Sequence, residues 1–348
     1  MRTTSKATLI VFMLLAFSTS GITGTDYKHF HPKGKMPSKY TIEKQQALRK
    51  TLPFEDKQDF EEARRGFIAA PPYRQIKAEA GHVAWDIGKY DFLLEEGQDF
   101  DSIHPSLQRI AILNMNYGLF EVIPGIYQVR GYDLANISFI KGKTGWIVFD
   151  PLTAKETAAA ALKFINEQMG ERPVVAVVYS HSHADHFGGV RGVVDEKDVQ
   201  SGKVKIIAPI GFMDHAVAEN VYAGNAMNRR LFYQYGVLLP KSPFGHVDQA
   251  IGKGTAAGNL GLIPPTVIIE KYIEELTVDG VKMVFQNTPG TEAPAAMPGG
   301  LCPAAFYITC IASRTISGSA SVQAPTSVWE WTTATTGPAA TIPPKPSC

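Results

Sequence analysis

The chain has 348 residues, 45% of them hydrophobic and 19% charged, which suits one large or two modest globular domains. A net charge of +1 supplies no basic field, so neither nucleic acid nor an acidic membrane surface is expected as a partner. All three cysteines (Cys302, Cys310 and Cys348) lie near the end, so the body of the chain is expected to use no disulfide.

Arg2 and Lys6 precede an apolar run from Ala7 to Phe17, followed by small residues from Ser18 to Gly24. That shape is a secretory signal peptide over residues 1–24, and its apolar part is too short for an ordinary spanning helix. The expectation is a secreted or periplasmic protein with no stable membrane span after signal cleavage; a short anchor is the alternative. Residues 25–115 read as a mixed region packing on the core that follows. Residues 44–52 and 56–66 have helical composition, Ala70-Pro71-Pro72 breaks the pattern, and Trp85, Tyr90 and Phe92 are candidates to cover the core. His29, His31, His82 and His104 are scattered, and isolated histidines are more often surface or satisfied core residues than ligands.

Residues 116–294 carry the clearest periodicity. Four short apolar runs, at 120–123, 126–129, 136–140 and 146–149, are separated by Pro124-Gly125, Gly131 and Gly142 to Gly145, the pattern of a β-meander. Asp150-Pro151 ends the last run, where Asp150 is either a turn residue or a group orienting something at the mouth of the sheet. Thr153 and Glu156 have the spacing of a capping box ahead of an alanine-rich helix over 154–169, stopped by Gly170. The run Pro173 to Tyr179 then reads as a buried strand, so strand, helix and strand form a βαβ crossover. Further on, 204–210 is a strand, 213–230 is helical, and 241–259 is a glycine-containing loop able to line a groove. The runs 266–269 and 281–285 close the sheet.

The chemistry concentrates at His181-Ser182-His183-Ala184-Asp185-His186-Phe187-Gly188-Gly189, directly after the buried strand. Imidazole nitrogens and carboxylate oxygens suit a borderline cation such as zinc. In extended backbone His181 and His183 share one side, while Asp185 and His186 can reach a second centre as the chain turns. One loop can therefore serve two metals, and such a pair can acidify a shared water and clamp an ester under attack.

This H-x-H-x-D-H pattern resembles the metallo-β-lactamase superfamily, which implies an α/β fold, the αβ/βα sandwich, around a binuclear metal site. Thr288-Pro289-Gly290-Thr291-Glu292-Ala293-Pro294, the run Val122 to Asn136, and Phe149-Asp150-Pro151-Leu152-Thr153 narrow the resemblance to the linear alkyl sulfatase branch, over roughly residues 58–294. The resemblance implies two Zn2+ ions, one on His181, His183 and Glu292 and the other on Asp185 and His186, with Asp150 behind the ligands. It also implies hydrolysis of a small-molecule alkyl sulfate ester to alcohol and inorganic sulfate, without distinguishing C–O from S–O cleavage. Arg229 and Arg230 are candidates for anion steering, or plain surface arginines. A thioester or lactam hydrolase of the same superfamily, or a non-catalytic secreted remnant, are the alternatives.

Past Glu292 the text departs from that branch. Ile311 stands where a second acidic ligand is expected, no histidine follows His246, and residues 295–348 are rich in Ala, Gly, Ser, Thr and Pro. This composition predicts a loop-like, low-complexity tail and an incomplete second half of the sandwich, from a shifted reading frame or a natural stalk. Without that second carboxylate and a later histidine a binuclear site would hold its metals less firmly, so impaired activity is expected; the downstream domain through which the family forms homodimers also has no counterpart in the tail.

Overall fold

The computed structural model describes residues 34–301, Glu96 apart, and the short strand at 306–308. The signal-peptide expectation, His29, His31, the cysteines and most of the tail lie outside the described residues. Two helices lead, α1 (Lys39–Arg49) and α2 (Gln58–Arg64), then three short strands, β1 (Phe67–Ala69), β2 (Gln75–Lys77) and β3 (Val83–Asp86), and α3 (Pro105–Leu113). The meander follows as β4 (Gly118–Ile123), β5 (Ile126–Arg130), β6 (Ile137–Lys141) and β7 (Trp146–Phe149), antiparallel throughout. Next come α4 (Lys155–Met169), β8 (Val174–Val178), α5 (Glu196–Gln200), β9 (Lys205–Pro209), α6 (Phe212–Val217), α7 (Gly224–Tyr235) and β10 (Val267–Ile269). The parallel pairs β7–β8, β8–β9 and β9–β10 complete an eight-stranded sheet ordered β1-β4-β5-β6-β7-β8-β9-β10.

Period-two alternation explains why the strands of this sheet read as unbroken apolar runs. Trp146 and Val148 of β7 face α4, packing with Ala158, Ala161, Phe164 and Ile165. Ile147 and Phe149 face the other way, against Met297 and against Met283 and Phe285 of a second sheet. That sheet has four strands, β11 (Ile273–Val278), β12 (Val281–Gln286), β13 (Gly299–Leu301) and β14 (Phe306–Ile308). Asn287 joins the two layers: its side-chain amide donates to Ile269 O at 2.9 Å and Lys271 O at 2.7 Å.

Several expectations are corrected. Run 281–285 belongs to the second sheet, as half of a hairpin with β11, because its inward residues fit the far face of the first. The chain beyond Ala295 does not become loop at once: Ala295, Ala296 and Met297 are buried and β13 pairs with β12. Small residues there permit close approach, which composition alone misread. The capping box does not form. Ala154 is the N-cap of α4 without a side-chain bond, Thr153 is drawn to Asp133, and Glu156 accepts from Asn259 N at 2.8 Å. The helix expected over 213–230 is three segments, with a π-helical turn at Ala218–Tyr222 between α6 and α7.

The loop after α7 does not simply edge a groove, because its charged residues are buried against the N-terminal region. Lys253 Nζ sits 3.0 Å from Asp248 Oδ2, both side chains almost wholly enclosed, and also donates to Ala111 O at 2.7 Å. His246 packs edge-on to Tyr90 and lies 3.2 Å from its hydroxyl. Burial, with Lys241 and Lys253 nearby, lowers the His246 pKa to about 4. The unfolded chain binds that proton near the ordinary value of about 6.5 and so carries more protons between the two. Unfolding free energy should therefore fall as pH drops from about 6.5 to about 4, by up to about 3 kcal/mol from this residue. Urea titrations at both ends should show a smaller acid-induced loss in His246→Gln than in the parent.

Candidate metal centre

The site forms where β8 runs out at the carboxyl edge of the large sheet. Tyr179 continues the strand, donating its N–H to Ile207 O at 2.9 Å, while its ring stacks on Phe212. The chain then turns through a short 3-10 segment, Ala184–His186, and leaves by Gly188 and Gly189. A Cβ on Gly189 would lie 2.1 Å from Pro151 O, so only glycine lets the exit pass the end of β7.

That β7 end is itself unusual. Asp150 and Leu152 have φ of 55° and 62°, the left-handed region, at a cost of order 1–3 kcal/mol for each. Asp133 holds the turn. Its fully buried carboxylate accepts from Thr153 N at 3.0 Å, Thr153 Oγ1 at 2.9 Å, Thr157 Oγ1 at 3.1 Å and Ala256 N at 2.9 Å. Gly189 N donates to Leu152 O at 2.8 Å, tying the turn to the ligand loop.

The bend aims Asp150 at the histidines. Its Oδ1 accepts from Ser180 N at 2.8 Å, and Oδ2 accepts from Ser180 Oγ at 2.7 Å and from His186 Nδ1 at 2.9 Å. Because the Ser180 hydroxyl proton goes to Asp150, its oxygen is left to accept from His181 Nδ1 at 3.0 Å. One carboxylate thus fixes the tautomer of His181 and the orientation of His186, leaving each Nε2 to face the cluster.

His181 Nε2 and His183 Nδ1 converge to 2.9 Å, and His183 Nδ1 is 3.9 Å from Glu292 Oε1. One ligand atom from each of His181, His183 and Glu292 falls within 4.8 Å of the others. Glu292 arrives on the loop after β12, docked by Met297 N donating to Ser180 O at 2.8 Å and by a bridge between His181 and Ala296. Asp185 and His186 sit alongside, with Asp185 Oδ2 3.2 Å from His186 Nε2. Burial holds His181 far below the ordinary imidazole range, in the neutral form that ligates. Burial opposes charge on Asp185 and His186 too, but their mutual attraction, with Asp150 beside His186, outweighs it. Asp185 is lowered and His186 raised, so together they form an ion pair. Two imidazole nitrogens and a carboxylate oxygen converging on one point fit a divalent ion.

Among the remaining sequence candidates, Arg229 and Arg230 are exposed on α7. His104 caps α3, accepting from Ser106 N at 3.1 Å, and His82 meets Ala257 O at 2.6 Å; both have local structural roles. Asp133 and Glu219, whose Oε2 lies 3.6 Å from His183 Nε2, were not singled out by sequence reasoning.

Residues 130–301 match the model of the metallo-β-lactamase superfamily, and the chain carries a domain of that superfamily. Within it the chain is similar to alkylsulfatases. It is 53% identical over 251 residues to a linear primary-alkylsulfatase of Pseudomonas sp., covering 72% of this chain and 37% of the relative. To an alkyl/aryl-sulfatase of Saccharomyces cerevisiae it is 48% identical over 257 residues, covering 74% and 40%. The solved structure of a stereoselective inverting sec-alkylsulfatase from Pseudomonas sp. superposes with a TM-score of 0.73 at 49% identity, covering 78% of this chain and 43% of that one. The chain thus spans about two fifths of the length of these relatives. The superfamily implies a divalent metal, typically zinc.

Since Asp150 serves two of the histidines, Asp150→Ala should weaken zinc binding by about 10–100-fold. Chelator competition would measure it. Gly189→Ala should destabilise the chain by about 1–3 kcal/mol through the clash with Pro151 O, read from the urea midpoint.

Proposed function

We propose that this chain hydrolyses alkyl sulfate esters to alcohol and inorganic sulfate, and that it acts outside the cytoplasm. One zinc is held by His181, His183 and Glu292, and a second by Asp185 and His186. The observation that carries this reading is the convergence of the first three within 4.8 Å, in a chain about half identical to alkylsulfatases. Bound zinc supplies Lewis acidity toward a water and an ester oxygen.

The chain's own residues do the rest. Asp150, through Ser180, keeps a proton on the far side of His181, so that its inward nitrogen stays available, and it aims the inward nitrogen of His186, which sheds its proton when it ligates. Tyr235, at the end of α7, is raised above the ordinary phenol range by burial and by the charges of Asp185 and Glu292. On α7 and the segments flanking it, Tyr222, Phe232, Tyr233, Leu238 and Leu239 are exposed. A substrate with an anionic head and an alkyl tail needs apolar surface within reach of the charged centre, and these side chains are the candidates to supply it. Exposed Arg230, which acts on Tyr235 in the opposite sense, adds positive charge there for the sulfate.

The purified chain should bind about two zinc ions and release sulfate from dodecyl sulfate, while leaving nitrocefin and thioesters untouched. His181→Ala with Asp185→Ala should cut sulfate release by more than about 100-fold. Turnover of nitrocefin or a thioester in place of dodecyl sulfate would assign a different hydrolase. For the exported location, the expected result is a mature N-terminus close after Gly24.

A further inference from the structure

His181 and His186 each have the ring nitrogen remote from the cluster tied to Asp150, through Ser180 in the first case and directly in the second. His183 lies outside that arrangement. Its Nδ1 faces the cluster, 2.9 Å from His181 Nε2, and its Nε2 points to Glu219 Oε2 at 3.6 Å. We infer that Glu219 is a positioning residue that keeps the His183 proton on Nε2 and leaves the Nδ1 lone pair for a metal; the inference rests on the zinc-binding reading above.

Three observations support it. The two nitrogens of an imidazole point apart, so Glu219 cannot share an ion with Nδ1 and must act through the ring. A neutral imidazole has one N–H, and whatever accepts it decides which nitrogen is free. The Glu219 carboxylate is about a quarter exposed, and among the described residues His183 is the one basic side chain within 4.0 Å of it. At 3.6 Å the contact is longer than a hydrogen bond, with a carboxylate oxygen as the acceptor facing Nε2.

The backbone points the same way. Glu219 sits on the π-helical turn Ala218–Tyr222, whose wide ring is closed by Ala223 N donating to Ala218 O at 2.9 Å. Single π turns inside helices are rare and occur frequently at functional sites. This one falls where α6 gives way to α7, and it carries the carboxylate that meets His183.

The test uses the full chain with Glu219→Ala and Glu219→Gln, measuring zinc affinity by chelator competition and His183 ring nitrogens by NMR. In the zinc-loaded parent the His183 proton should be on Nε2. Glu219→Ala should lower zinc affinity by about 10–100-fold. Glu219→Gln should lower it less, because the amide oxygen can still accept the N–H. The melting temperature of the metal-free protein should not change in either. Parent-like zinc affinity in both variants overturns the inference, as does a loss matched by an equal fall in metal-free melting temperature. Zinc uptake with the graded loss but no sulfate release would sink the sulfatase reading and leave this one standing; a parent that takes up no zinc sinks both.

Discussion

The candidate metal centre depends on a backbone bend that few residues adopt willingly. Asp150 and Leu152 both take left-handed φ values directly after β7, and Leu152 has no polar side chain to ease it. The turn survives because it is held from two sides: Asp133 gathers Thr153 and Thr157, and Gly189 clamps Leu152 O. Without that bend the Asp150 carboxylate would not meet Ser180 and His186 together. Strain at the strand end is what converts a turn aspartate into the organiser of two histidines.

Burial then does electrostatic work. His181 is enclosed and kept neutral, while His186 is enclosed and kept charged, though the two rings are 4.1 Å apart. The difference lies in their partners: His181 meets a serine hydroxyl, and His186 lies between the carboxylates of Asp150 and Asp185. A cation arriving between such groups meets anionic and neutral donors already aimed and must displace a proton to bind.

Much of this was legible in the residues. The meander, the crossover and the H-x-H-x-D-H loop announce themselves because buried strands need apolar runs and ligands need spacing. Asp133 was not legible: an aspartate in Gly131-Tyr132-Asp133 looks like any turn residue until Thr153, Thr157 and Ala256 are brought to it from afar. The same competition removed the capping box, since Thr153 serves Asp133 in place of its own helix. Glu219 was hidden by a register change, because a π turn breaks the 3.6-residue arithmetic by which helix faces are read. Residues 295–299 misled in the opposite direction, their mostly small side chains marking close packing against the large sheet where composition suggested disorder.

His181 and His183 lie on the loop that leaves β8 of the large sheet, and Glu292 comes from a loop of the small one. An ion gripping all three would act as a rivet through both layers of the sandwich. Since such a rivet binds only the assembled form, the durability of the molecule becomes a function of how much free metal surrounds it. In a metal-poor medium the edge of the sandwich nearest Glu292 would be the first to part, and scarcity of the cofactor would be felt as fragility as well as silence.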